Sequence, residues 1–343
     1  MNLALHITGR RADGYHLLES LVVFTRFGDR AEMRAAGVDS FEIDGPFGEG
    51  LSIDGDNLVI RARDALREAV ARQLRGGSRP TLPPSVLPDI SPSRGEIMPS
   101  SASRPIFNQP EVDEAAERLI SPLEGEMSGR TEGGNVRCSV SGLPVAIRLD
   151  KHLPLASGIG GGSSDAAATL RALNRLWRCN LTPGALAHIG QSLGADVPMC
   201  LAATPLIARG IGEIIEPVAD FLELHLVLVN AGVEVPTPAV FAALAQKENP
   251  PLPPLPAHLY FDSLRSWLAA SRNDLEAPAT AIAPAIAESL AALRANDAAF
   301  ARMSGSGATC FGLFETQAQA QAAAETIGHG RPGWFVAATS SRR

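Results

Sequence analysis

Positive charge is scarce in this sequence, and lysine scarcest of all. Against 37 Asp and Glu stand 30 Lys and Arg, for a formal net charge of -7, and only Lys151 and Lys247 are lysines. A general nucleic-acid or anionic-membrane surface needs clustered Lys and Arg, so any basic site here is local. Cysteine is sparse too. Cys138, Cys179, Cys200 and Cys310 lie far apart with no Cys-x-x-Cys pair, which argues against a zinc site or a disulfide framework and for free thiols in a reducing cytoplasm. No apolar run reaches the roughly 20 residues of a membrane span. The first residues, Met1 to Arg11, lack a basic segment followed by a long apolar one. The expected location is cytoplasmic, with neither membrane nor nucleic acid as a partner.

The 343 residues, 45% hydrophobic and 20% charged, suffice for two folded domains with a core each. Leu3 to Thr8 reads as a strand ending at a turn on Gly9, followed by Asp13-Gly14 and the pair Tyr15-His16. Leu21 to Phe24 is a second apolar stretch. Asn57 to Gln73 has helical spacing through Leu58, Ala62, Ala65, Leu66 and Ala69. From about Gly76 to Gly134, Pro, Ser, Gly and Glu dominate, and Ile90 to Met98 is nearly repeated at Ile120 to Met127. Such a tract cannot bury enough apolar surface to order itself. It is expected to be an insertion in a surface loop, tolerated because closure entropy grows only logarithmically with loop length. A partner-binding segment is the competing reading.

Strict alternation returns at Val145 to Asp150, an expected half-buried strand. Asp165 to Trp177 places Leu170, Leu173 and Trp177 on one helical face, with Ser163 or Ser164 as N-cap and Asp165 in the first turn. Pro183 to Leu193 is a second helix. Beyond it come strands at Leu224 to Asn230, Cys310 to Phe314 and Trp334 to Ala337, and helices at Pro284 to Ala295 and Gln317 to Ile327. Pro250 to Pro256 reads as a surface connection. Mixed elements without regular βαβα alternation indicate an α+β, two-layer architecture.

Between the alternating strand and the next helix stand Pro154, Leu155, Ala156, Ser157, Gly158, Ile159, Gly160, Gly161, Gly162, Ser163 and Ser164. Glycines let a backbone approach a phosphate closely, and a helix N-terminus offers free N–H groups and a positive dipole end. The competing reading, a flexible turn, needs no helix behind it. The loop has no Gly-Lys-Ser/Thr ending and has Ser163 at the third-glycine position of a dinucleotide fingerprint. No His-Arg-Asp or Asp-Phe-Gly of a protein kinase follows.

The loop resembles the phosphate motif of the GHMP kinases, Pro-x-x-x-Gly-Leu-Gly-Ser/Gly-Ser-Ser, with Ile159 in the Leu place. Met303-Ser-Gly-Ser-Gly-Ala-Thr-Cys310 resembles the Gly-rich turn near that family's C-terminus. Further matching segments are Asn2 to His16, Asp56 to Leu58, Gly194 to Pro198, Gly210 to Glu213, Pro236 to Pro238 and Asn273 to Leu275. Together they cover nearly the whole chain outside the tract 76–134. They narrow the resemblance to the branch that phosphorylates a cytidine-diphosphate-linked methylerythritol on the route to isoprenoid precursors.

The resemblance implies a ribosomal-protein-S5-like N-terminal domain, 1–207, and a ferredoxin-like C-terminal domain, 208–343. It implies ATP as donor, a small-molecule alcohol as acceptor and Mg2+ as the accompanying cation. Asp196 takes the place of the catalytic carboxylate; on residues alone it could instead be a buried helix cap. Tyr15 is expected to stack on cytosine, His16 to hydrogen-bond its edge, and Phe241, after Thr237 and Pro238, to close the other face. By the plainer reading Tyr15 is a half-buried aromatic and Phe241 is core. Asn2 resembles a substrate-contacting asparagine. Ser164 is the hydroxyl expected to reach Mg2+ or a phosphate oxygen, Ser163 or Ser164 also being the helix cap. Asn57 and Lys151 are expected near the adenine, or simply solvated. His6, His152, His188, His225, His258 and His329 show no ligand spacing and read as structural or exposed.

One departure stands out. The family's first strand begins Ala-Lys-x-Asn-Leu, whose lysine binds the reacting hydroxyl or stabilises the transferring phosphoryl group, whereas here Met1 directly precedes Asn2-Leu3. A start assigned too far downstream and a non-catalytic relative are the two readings. The intact loop, Asp196 and Tyr15-His16 favour the first.

Overall fold

The apolar run Leu3-Ala-Leu-His-Ile7 is too short for a buried helix and suits a strand covered on both faces. It forms the middle of β1 (Asn2–Arg10), where Leu3 and Ile7 are fully buried. β1 pairs antiparallel with β2 (His16–Val22) and runs past the expected stop. Gly9 faces Leu17 within the ladder, at a register shift that follows Ile7. The turn lies instead at Arg11 to Tyr15, closed by the Arg11 N–H donating to the Tyr15 carbonyl at 2.7 Å. A bulge tolerates glycine inside a strand, so Gly9 bends the hairpin without ending it.

The computed structural model describes residues 1–75 and 144–342. The expected insertion at 76–134, with its near copies, and Cys138 lie outside the described residues. Among the described residues the strands form three sheets. The first continues from β2 to β6 (Leu206–Gly210) and β7 (Ile214–Pro217), all antiparallel. The second is β3 (Arg30–Ala35), β5 (Val145–Asp150) and β4 (Ser40–Asp44), with β5 antiparallel to β3 and parallel to β4. The third has the order β11 (Phe335–Ser340), β8 (His225–Asn230), β10 (Cys310–Phe314) and β9 (Phe300–Met303). β3 and β4 escape sequence reasoning because they flank the sheet with charged residues and have no fully buried position.

The apolar stripes of α1 (Leu58–Arg75) and α2 (Gly161–Leu176) meet the inward face of β5, where Leu66, Ile147, Leu149, Leu170 and Leu173 are buried together. α3 (Pro183–Leu193), capped by Thr182, and α4 (Val197–Ala202) close the same core. α5 (Thr237–Ala242), α6 (Phe261–Ala270) and α7 (Glu276–Ile282) were not foreseen. α8 (Ala285–Ala295) and α9 (Gln317–Gly330) cover the third sheet. β1 contributes Leu5 and Ile7 to that core and Leu3 to a further cluster with Phe311 and Trp267. The Pro-rich stretch is the expected surface connection, with Pro250, Pro251 and Pro254 exposed, and it is anchored there: Leu252 is buried, and the Trp267 indole N–H lies 3.1 Å from the carbonyls of Pro253 and Pro254. No helix among the described residues is long and apolar enough to cross a membrane.

Candidate active site

The glycine turn leaves β5 and enters α2 earlier than expected. Gly160, at φ 74, is the residue before the first helical turn, and the helix begins at Gly161. Ser163 and Ser164 therefore lie inside the helix and neither is its N-cap, and Asp165 lies beyond the first turn. Three consecutive glycines make this possible, because Gly160 takes the left-handed conformation without a Cβ penalty. The side chains freed from capping face two ways. Ser163 lines a cavity of about 470 Å³ with Asn57, Lys151, Pro154 and Gly158. Ser164 lines a second cavity, of about 460 Å³, with Asn2, Asp196 and Cys200.

The Gly-rich turn between β9 and β10 lies directly against the loop. The Thr309 N–H donates to the Ser157 carbonyl at 3.1 Å, and the Ser304 hydroxyl donates to the Gly158 carbonyl at 3.3 Å. Ser304 Oγ also accepts from the Asn2 N–H at 3.0 Å. Asn273 buttresses the turn from beneath, its side-chain amide donating to the carbonyls of Met303 and Gly305 at 2.8 Å each. Both motifs are thus two sides of one structure. Asn273 was legible only as part of a matching segment, with no role attached.

Asp196 occupies the residue before α4 but makes no side-chain capping bond, so the helix-cap alternative is not what the structure shows. Its carboxylate opens onto the second cavity. Enclosure by surrounding protein nevertheless pushes its pKa above the ordinary carboxylate value. Asn2 lines the same cavity, its side-chain amide donating to Ser20 Oγ at 2.7 Å.

A third cavity, of about 620 Å³, is lined by Tyr15, His16, Pro238, Phe241, Arg10 and Lys247. Tyr15 is 63% exposed and not packed as core. The ring that lies against Phe241 is that of His16, with centroids 5.0 Å apart and planes at 30°. His16 Nε2 is buried without a hydrogen-bond partner. Burial, reinforced by Arg10 and Lys247, lowers the His16 pKa and favours the neutral ring. Thr237 lines all three cavities and hydrogen-bonds Ser306 at 2.8 Å.

Asn57 caps α1, its Oδ1 accepting from the Val59 N–H at 2.9 Å while its amide donates to the Ser52 carbonyl. Lys151 lines the same cavity but is not solvated. It is buried, with Nζ bonded to Asp29 and to Asp165. Burial, and then the neighbouring Asp29 charge, push the Asp165 carboxyl up to about 6 against the pull of Lys151. Sequence reasoning missed Asp29, whose only local signal is the turn Gly28-Asp29. Of the remaining histidines His6 is fully buried, and no group of three or more His, Cys, Asp or Glu among the described residues is placed to hold a metal.

Comparison with known proteins agrees with this geometry. Residues 134–204 match the family model of the GHMP kinases N terminal domain, and residues 260–330 match that of the GHMP kinases C terminal. The chain is 47% identical over 341 residues to a Mesorhizobium japonicum protein named 4-diphosphocytidyl-2-C-methyl-D-erythritol kinase, covering 99% of this chain and 93% of that one. A Brucella melitensis protein of the same name is 45% identical over 345 residues, covering 99% and 92%. A crystal structure of 4-(cytidine 5'-diphospho)-2C-methyl-D-erythritol kinase superposes with a TM-score of 0.65 at 26% identity, over 100% of this chain and 97% of that one. L. major mevalonate kinase shares the fold, with a TM-score of 0.52 at 16% identity over 96% and 89%. With its loop, its C-terminal turn and its full length all matched, the chain belongs to the GHMP kinases, in the branch of the 4-diphosphocytidyl-2-C-methyl-D-erythritol kinases.

Proposed function

We propose that the chain transfers the γ-phosphoryl group of ATP to the 2-hydroxyl of 4-diphosphocytidyl-2-C-methyl-D-erythritol, a step toward isoprenoid precursors. The observation that carries this reading is the shared cavity: Asp196 faces it from one wall, Gly158, Gly160 and Ser164 of the phosphate loop from another, and it reaches Tyr15 and Phe241. A phosphoryl group in the loop and an alcohol beside Asp196 would therefore meet there. Catalysis of phosphoryl transfer is mainly positioning and charge stabilisation. The loop N–H groups and the start of α2 hold phosphate oxygens. Asp196 orients the acceptor hydroxyl and accepts its proton, a role favoured by its raised pKa.

The third cavity takes the cytosine. Tyr15 offers an open ring face, Phe241 lines the cavity with the His16 ring against it, and the unpartnered His16 Nε2 offers a hydrogen-bonding position for the base edge. Asn57 and Lys151 border the nucleotide's side, and Asn2 the acceptor's. Mg2+ supplies charge neutralisation on the phosphates when bound. It usually keeps several waters and relies on substrate phosphates with few protein ligands, and the Ser164 hydroxyl, which is free of capping duty and lines the cavity with Asp196, would be the protein oxygen to join it. The two matched family segments, 134–204 and 260–330, are consistent with two halves; β6 (Leu206–Gly210) spans residue 207 and pairs with β7, so the first sheet runs on to Pro217. The described cysteines Cys200 and Cys310 are free thiols, in keeping with a reducing cytoplasm.

Substrate-dependent ADP release tests the reading, comparing the cytidine substrate with homoserine and mevalonate. Release with the cytidine substrate alone is expected. Release with another alcohol, or ATP binding without any release, overturns it.

A further inference from the structure

Two carboxylates converge on one ammonium behind the phosphate loop. Lys151 Nζ, just after β5, donates to Asp165 Oδ2 at 2.8 Å and to Asp29 Oδ2. The three side chains are 4%, 8% and 1% exposed, in the order Lys151, Asp165, Asp29. The other oxygen of Asp29 accepts two backbone N–H bonds, from His152 at 2.7 Å and Leu153 at 2.8 Å. Those residues lead directly into Pro154. Asp165 belongs to α2, which leaves the loop at its far end. The cluster thus ties the loop's entry to its exit, and Gly161, the first helical residue, packs on it: a Cβ there would lie 3.4 Å from Asp29 Oδ2 and 3.7 Å from Lys151 Nζ.

Stability alone is a poor account of such a cluster, because desolvation of buried charges offsets most of their attraction. Nor is Lys151 a spare cation for phosphates, since two carboxylates already engage its ammonium. What charge-assisted hydrogen bonds supply is direction. We propose that Asp29, bonded at once to the loop entry and to Lys151, is a positioning residue that sets where the loop receives the ATP phosphates. This rests on the reading that the loop binds ATP. Asp29 acts through the backbone of His152 and Leu153 and through Lys151.

The test uses the full chain and two variants, Asp29→Ala and the milder Asp29→Asn, which keeps an oxygen for the two N–H groups. Calorimetry gives the Kd of ADP and, separately, of the cytidine substrate; steady-state kinetics give KM for ATP and kcat. A loop displaced by about 1 Å can cost on the order of a hundredfold. Asp29→Ala is expected to raise the ADP Kd and the ATP KM by about ten- to a hundredfold while the cytidine-substrate Kd stays unchanged. Asp29→Asn is expected to show the same selectivity with a smaller rise. In whichever variant gives a cooperative melt, an unchanged ADP Kd overturns the proposal, and so does equal weakening of ADP and cytidine substrate, which is the mark of a merely structural role. Wild-type protein that binds no ADP overturns the kinase reading instead.

Discussion

Gly158 of the phosphate loop and Gly307 of the C-terminal turn touch backbone to backbone: a Cβ on Gly158 would stand 2.5 Å from the Gly307 carbonyl oxygen and 2.6 Å from its nitrogen. Gly158 also has φ +72, a conformation L side chains rarely adopt. The loop's shape therefore depends on a segment far along the chain.

Gly158→Ala meets both obstacles together. It is expected to lower stability by about 1–3 kcal/mol, measured by urea unfolding, and to raise the ATP KM. Gly184→Ala is the control, because a Cβ there meets nothing within 4 Å and its backbone angle is unexceptional. Equal behaviour of the two variants contradicts the packing argument.

Asp196→Asn is expected to lower kcat by about 10²–10⁴ with ADP affinity unchanged, since the side chain lines the cavity of Asn2 and Ser164 and not the one lined by Asn57 and Lys151. The wild-type pH profile carries a second sign. Because the protein around the accessible Asp196 carboxylate raises its pKa, activity is lost as pH falls through a midpoint above about 3.9, the usual Asp value. That acid limb should vanish in Asp196→Asn; its persistence assigns it to another group.

Tyr15→Ala removes an exposed ring from the cavity it lines with His16 and Phe241. Stacking on a base contributes about 1–3 kcal/mol, so the Kd for the cytidine substrate should rise while the ATP KM holds. Isothermal titration of both ligands checks this, and a matching loss for ATP would place Tyr15 elsewhere in the mechanism.

His6 makes stability depend on pH. It is fully buried, its Nε2 accepting the Arg272 backbone N–H at 2.9 Å and its Nδ1 lying 3.1 Å from the Pro250 carbonyl. Burial holds its pKa below the ordinary value, against a background of Arg272 and Asp274. The unfolded chain then binds the proton more readily, so the contribution of His6 is present above about pH 6.5 and is lost as pH falls through the lower folded value. Urea unfolding from pH 8 to 5 should show this decline, and His6→Gln should flatten it.

Features set by neighbours in sequence were legible before the fold. The alternation at Val145 to Asp150 and the Pro start of the helix at Pro183 fall on the observed bounds of β5 and α3. The phosphate loop was legible because glycine spacing between a strand and a helix is a local pattern. Its helix start was misplaced, because Ser and Asp carry the usual capping signal while a left-handed Gly160 carries none. β3 and β4 were missed because their charged residues hide the alternation.

The sequence by itself determined that a glycine turn suited to a phosphate follows Pro154 and that Lys151 and Lys247 were the lysines available, while the resemblance its motifs carry pointed to Asp196 and Tyr15-His16. Tertiary structure decided what each touches. It set the C-terminal turn against Gly158 and placed His16 against Phe241. It also turned Lys151 away from solvent into an ion cluster with Asp29, 122 positions away. The physical reason is separation along the chain. Backbone conformation answers to adjacent residues, whereas the burial and pairing of a charge depend on which distant segment the folded core brings beside it.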